Sequence, residues 1–93
     1  MKPKQIKFRD LRRILAKYGF QMSNVLGSHR VFSRKADDTL LLFPPLRLTD
    51  PVEEINLKVT AKVLDERGIA TRREFEAAIN HSTKKPSPLR RAG

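Results

Sequence analysis

The sequence predicts a small α+β domain, with helices packed on one face of a three-stranded antiparallel sheet. Three observations carry that expectation. Apolar residues recur at spacings of three and four near the start of the chain. Three short β-like runs follow, separated by glycine-containing or Lys-Ala-Asp-Asp turns. The helical spacing then returns and continues to about residue 80. A chain of 93 residues has room for one domain. A domain of that size buries only about 60% of the surface its unfolded chain exposes, so the core must be modest.

The first helix rests on Phe8, Leu11, Ile14, Leu15 and Tyr18, which make one apolar stripe. Arg9, Arg12, Arg13 and Lys17 fall on its other faces, and Asp10 suits the positive end of the helix dipole. Gly19 is placed to take the left-handed conformation after the helix end. Phe20 and Met22, extended by Val25 or Leu26, suggest a first strand ending at Gly27. Arg30 to Arg34 suggests a second, with Val31 and Phe32 on opposite faces. Lys35 to Asp38 makes a turn, and Thr39 to Phe43 a third strand, expected to be buried as a central or edge strand. Pro44 and Pro45 must end it, because neither can donate to a ladder.

Asp50-Pro51-Val52-Glu53 has the form of a helix start, with Asp as N-cap, Pro first and Glu third. The stronger pattern begins at Leu57, so the second helix starts at 51 or at 56. Val59, Ala61, Val63 and Leu64 are expected to form its apolar stripe, and Gly68 to follow its end. Thr71-Arg72-Arg73-Glu74 is a second capping box, opening a short helix with Phe75, Ala78 and Ile79 on one side. Residues 1–81 are assigned to the domain. Residues 82–93, rich in Ser, Lys, Pro and Arg, are expected to form a disordered basic tail. The order α-β-β-β-α is also that of double-stranded-RNA-binding domains.

The charge narrows the function. The chain has 20 basic and 10 acidic residues, a net charge of +10. Residues 1–35 hold 10 basic and 1 acidic side chain, residues 36–83 hold 6 and 9, and residues 84–93 hold 4 and none. A concentrated basic region attracts polyanions, of which nucleic acid is the commonest. With no cysteine there is no disulfide framework, no cysteine zinc site and no thiol nucleophile. No apolar run is long enough to span a bilayer and no signal-peptide pattern is present, so the expectation is a cytoplasmic protein that keeps off membranes. Asp37 and Asp38 belong to a turn and Glu53 and Glu54 to a helix start. No metal site or cofactor is expected.

The segment Gly27-Ser28-His29-Arg30-Val31-Phe32 is the most specific in the chain. His29 can give and take protons near neutral pH, and Arg30 can bind phosphate through a fork of donors. RNA cleavage needs both: the ribose 2′-hydroxyl loses a proton, the 5′-oxygen gains one, and charge builds on the phosphate between. The residues alone also suit a turn histidine with no chemical role. His81, the other histidine, has no acid or base neighbour in sequence and is expected to be inert.

Gly27-Ser28-His29-x-x-Phe32, after a helix ending in Tyr18-Gly19-Phe20, resembles the HicA (YcfA-like) family of toxin–antitoxin ribonucleases. The resemblance runs from residue 7 to about 79 and includes Lys62-Val63-Leu64, Gly68-Ile69 and Phe75. It implies a double-stranded-RNA-binding-domain-like fold and a metal-independent endoribonuclease that cleaves mRNA. It implies His29 as the catalytic residue, with Gly27 and Ser28 forming its turn, and a HicB-type antitoxin as partner. Arg30, Arg34, Lys35, Arg9, Arg12, Arg13 and Lys17 would then hold RNA. Two departures stand out. Arg30 replaces the second histidine of the common motif, and Pro44-Pro45-Leu46-Arg47-Leu48 stands where the family often has a His-Gly-Lys-like stretch. Non-catalytic RNA binding and docking of an acidic partner are the other functions compatible with the chain.

Overall fold

A computed structural model describes residues 6–23 and 29–83. The described elements are α1 (Phe8–Lys17), β1 (Phe20–Ser23), β2 (Arg30–Arg34), β3 (Thr39–Phe43), α2 (Glu54–Glu66) and α3 (Arg72–Thr83). The strands form one antiparallel sheet in the order β1-β2-β3, so β2 is central. The domain is therefore α+β, with a three-stranded antiparallel sheet and three helices. Val25, Leu26 and Gly27, expected to continue β1, lie outside the described residues.

The α1 stripe forms as expected: Phe8, Leu11, Ile14 and Leu15 are buried. Gly19 has φ +95° and Gly68 φ +70°, so both supply the left-handed turn that a side chain would strain. The register explains which strand residues join the core. Residues directly opposite share a face, so Phe20, Met22, Arg30, Phe32, Arg34, Thr39, Leu41 and Phe43 form the inner face. Gln21, Ser23, Val31, Ser33, Leu40 and Leu42 form the outer one. All three helices contribute to the cluster on the inner face, through Phe8, Leu11, Ala61, Leu64 and Phe75 among others.

Four expectations change. β3 is an edge strand with only one face covered: Leu40 is 60% exposed and Leu42 58%. The uninterrupted apolar run concealed an alternation that the register makes plain. Second, α2 begins at Glu54, not at 51 or 56. Asp50 does not cap it; its Oδ2 accepts the Arg47 N–H at 2.8 Å, closing a tight turn. Pro51 bridges Lys7, and the Val52 N–H donates to the Ile6 carbonyl at 2.9 Å. Third, the buried stripe of α2 is Thr60, Ala61 and Leu64, whereas Val59 is 54% exposed. Thr60 fits because its hydroxyl donates to the Asn56 carbonyl one turn back, at 2.8 Å. Fourth, α3 runs to Thr83, so Ser82 and Thr83 are helical and not part of a tail, and its 12 residues make it nearly as long as α2.

The capping box at the start of α3 forms reciprocally. The Glu74 N–H donates to Thr71 Oγ1 at 3.1 Å, and the Thr71 N–H to Glu74 Oε1 at 2.9 Å. One end of the sheet is joined to α1 by three rings. Phe8 lies 5.8 Å from both Phe32 and Phe43, and Phe32 lies 5.4 Å from Phe43, with edge-on or tilted contacts. Phe32 is 1% exposed and central to this group. Phe32→Ala should cost about 3–5 kcal/mol of unfolding free energy, read from the urea midpoint. Thr71→Ala should cost about 1 kcal/mol.

Candidate functional site

The central strand organises the expected site residues and divides them. Arg30 and Arg34 lie on its inner face with Phe32 between them. A charged group on a core-facing position must reach the edge of the layer or find partners there. Both arginines do so through a backbone carbonyl. Arg30 Nε donates to the Leu46 carbonyl at 2.8 Å, and Arg34 Nε to the Tyr18 carbonyl at 2.7 Å. Arg34 also pairs with Asp37 at 3.1 Å. Each arginine thus clips a chain segment to one end of β2: Arg30 the segment after β3, Arg34 the end of α1.

The two ends are far apart on the scale of a ribonucleotide. Five residue steps take the chain from His29 to Arg34, roughly 16 Å at 3.3 Å per residue. Lys35, in the turn after β2, is farther still. α1 runs antiparallel to β1, so Lys17 accompanies Arg34 at that far end, beside Tyr18. Arg9 is at the near end. Its N–H donates to the Leu48 carbonyl at 3.0 Å, and the Phe8 N–H to the Asp50 carbonyl at 2.8 Å. Arg12 and Arg13 are midway, and Arg13 is 3.7 Å from Asp10. The cations expected around His29 therefore form two groups: Arg9 and Arg30 near it, Lys17, Arg34 and Lys35 away from it.

Arg47, which stands where the resembled family often has a basic stretch and could partly compensate for it, joins the near group. It lies between Leu46, held by Arg30, and Leu48, held by the Arg9 amide, and its side chain is exposed. These bonds pin residues 46–50 across the first turn of α1. They also occupy the Phe8 and Arg9 amides, so phosphate at this end would meet side chains and not the helix terminus.

His29 is exposed and directly precedes β2. The alternation of β2 puts position 29 on the side of Val31 and Ser33, the outer face of the sheet. The imidazole is thus open to bulk water. Gly27 and Ser28 lie outside the described residues. His81 is exposed in the last turn of α3, on a separate element from β2. Among the described residues there is no group of three or more His, Cys, Asp or Glu side chains placed to hold a metal. An open groove of about 560 Å³ lies between α2 and α3, lined by Leu57, Ala61, Phe75 and Ile79, with charged residues at its rim. None of the expected site residues lines it.

Asp37 ends the far clip. The Thr39 hydroxyl donates to its Oδ1 at 2.7 Å and the Thr39 N–H at 3.2 Å. The Thr39 hydroxyl, with further help from the Thr39 N–H and Arg34, holds the Asp37 carboxyl below the usual carboxylate range. A depressed carboxyl pKa adds stability above the ordinary carboxylate range, and that addition is lost as the pH falls through the lowered value. The acid limb of the stability curve should therefore be shallower in Asp37→Asn, measured by urea unfolding across the acidic range. Arg34→Met should cost about 1–3 kcal/mol, because the Tyr18 carbonyl loses a charged donor. The Arg34 variant reports on folding, and its effect is read from the denaturation midpoint.

Among the described helices, none is long and apolar enough to cross a membrane. Comparison of the chain with protein-family models, with curated proteins and with solved structures finds no match.

Proposed function

We propose that this protein is a HicA-like, metal-independent endoribonuclease of the cytoplasm, acting on mRNA, with His29 as the group that moves protons. The observation that carries the reading is the placing of His29: an exposed imidazole directly before the central strand, at the same end of the sheet as Arg9, Arg30 and Arg47. The order α-β-β-β-α-α, with a three-stranded antiparallel sheet, is compatible with a double-stranded-RNA-binding-domain-like fold. In this reading His29 takes the proton of a ribose 2′-hydroxyl or returns one to the 5′-oxygen. Arg9 and Arg47 offset the charge that develops on the phosphate. Arg30 acts through its bond to Leu46, which fixes the segment bearing Arg47 relative to His29. A HicB-type antitoxin, acidic where this chain is basic, would be the natural inhibitor, since an inhibitor of a cationic site tends to share the charge of the substrate.

A second reading, RNA binding without cleavage, has one observation in its favour. The other histidine, His81, sits in the last turn of α3, on a separate element, and no neighbour in sequence gives His29 a second imidazole. One imidazole would then have to serve both proton transfers in turn, or share them with a cation.

His29→Ala separates the two. It should reduce RNA cleavage by about 10²–10⁴-fold, the usual contribution of a general acid–base group, while RNA affinity and the urea midpoint stay close to the parent values. Cleavage by the parent should continue in a chelator. Undiminished cleavage by the variant would falsify the assignment of His29. An RNA that the parent binds but never shortens, across a broad pH range, would establish the second reading.

A further inference from the structure

We propose that the outer face of the sheet, beside His29, seats an unstacked nucleobase, and that the substrate is therefore single-stranded RNA. The chemistry at His29 rests on the reading above; the seat itself rests on the strand register.

Six residues point outward. Gln21 is opposite Ser33 and Ser23 opposite Val31; Val31 is opposite Leu42 and Ser33 opposite Leu40. Leu40 is 60% exposed and Leu42 58%, while Val31, opposite Leu42, is only 8% exposed yet lies outside the core cluster. None of the six is charged, although the chain carries a net charge of +10. Cations stand at its two ends, with Arg47 beyond the end of β3 and Lys35 in the turn between β2 and β3. A surface that is apolar in the middle and cationic at the ends complements a single strand, whose bases are apolar plates and whose phosphates are anionic. A duplex hides its base faces in the stack and offers mainly phosphates and 2′-hydroxyls, so it has nothing to place against Leu40 and Leu42.

The proposed reaction makes the same demand. Attack by the 2′-oxygen displaces the 5′-oxygen only when the two lie in line through phosphorus. A regular A-form helix holds them out of line, so the nucleotide to be cut must leave the stack. In doing so it exposes an apolar base face, which water solvates poorly. Leu42 is the diagonal neighbour of position 29 on the outer face, roughly 7–8 Å away between Cα atoms. That separation matches the reach from a base to the phosphate beside it. The base would rest on Leu42 and Leu40 while the adjoining phosphate lies at His29.

The test uses three probes: a single strand with 2′-O-methyl riboses, which cannot be cut; its perfect duplex; and the same strand with one abasic position. The protein is the full chain and its Leu40→Ser/Leu42→Ser variant, whose changes fall on exposed positions and whose folding is checked by circular dichroism. The variant should bind the methylated single strand roughly three- to tenfold more weakly, at or below the low end of what an aromatic stacking partner contributes. Its dependence of affinity on salt should be unchanged, because no phosphate contact is removed. Duplex affinity should not change, and parent and variant should bind the abasic strand alike. On an unmodified strand the variant should show a KM raised by the same factor. Equal affinity of parent and variant for the intact single strand overturns the proposal. So does a change from dimer to monomer in sedimentation with RNA affinity unaltered, which would make this face a contact between copies. So does a variant that loses only the binding of an acidic protein. A parent that binds single strands through Leu40 and Leu42 without cutting them defeats the nuclease reading and leaves the base seat standing. A parent that cuts, with a variant of equal KM, does the reverse.

Discussion

Phe8, Phe32 and Phe43 meet at centroid distances of 5.4 and 5.8 Å, and their meeting ties the first turn of α1 to the central strand and to an edge strand. Everything at the His29 end follows from that joint. With Phe32 turned inward, the two-residue period of β2 turns Arg30 and Arg34 inward as well, and Val31 and Ser33 outward. With Phe43 inward, Leu42 must face out beside Val31. With Phe8 seated, the start of α1 comes to lie against residues 48–50, whose carbonyls take its first amides. A slip of one residue in β2 would exchange both faces at once. The aromatic joint therefore sets the orientation of the basic residues as firmly as it sets the core.

The same joint shows that the positive charge of the chain is not one undivided surface. Arg34 is held by Tyr18 and Asp37, and Arg13 stands near Asp10. Arg30 holds Leu46. Arg30 and Arg34 act on the protein itself, through bonds that fix where strands and turns lie. The exposed cations Arg9, Arg47, Lys17 and Lys35 are left to act on whatever approaches, and they do so from two separate ends of the sheet. Net charge alone cannot distinguish these groups; strand parity and the position of nearby carbonyls can.

Much of the fold was legible in the sequence because periodicity reports which side of an element is buried. The α1 stripe, the limits of β2 and β3, the glycine at each left-handed turn and the Thr71–Glu74 capping box all follow from local chemistry. The misplaced features depend on distant partners. Thr39-Leu40-Leu41-Leu42-Phe43 has no polar alternation to show which face is covered, so its exposed side emerges only from pairing with β2. Had Leu40 and Leu42 been aligned with Ser33 and Val31, their outward direction would have been visible. Asp50-Pro51-Val52-Glu53 has the composition of a helix start, yet Asp50 caps a turn with Arg47 and Val52 bonds to Ile6. For the candidate site, the sequence located His29 but scattered its cations, because neighbours along a strand are quickly carried apart. Arg47 reaches the His29 end from the far side of β3, and no local pattern announces that approach.

The bonds that join residues 7–9 to residues 48–52 also bear on how the chain is made. The Ile6 carbonyl and the Phe8 and Arg9 amides find their partners in Val52, Asp50 and Leu48. A ribosome delivers the chain from its N-terminus at about 5–20 residues per second. For the seconds before residues 48–52 emerge, the amino end of the first helix lacks its backbone partners, and the long separation makes closure of this contact a late event in folding. The segment 6–9, synthesised before its partners, is thus among the last to be secured, and any binding surface that includes Arg9 and Arg47 comes into being only once residues 48–52 have been released.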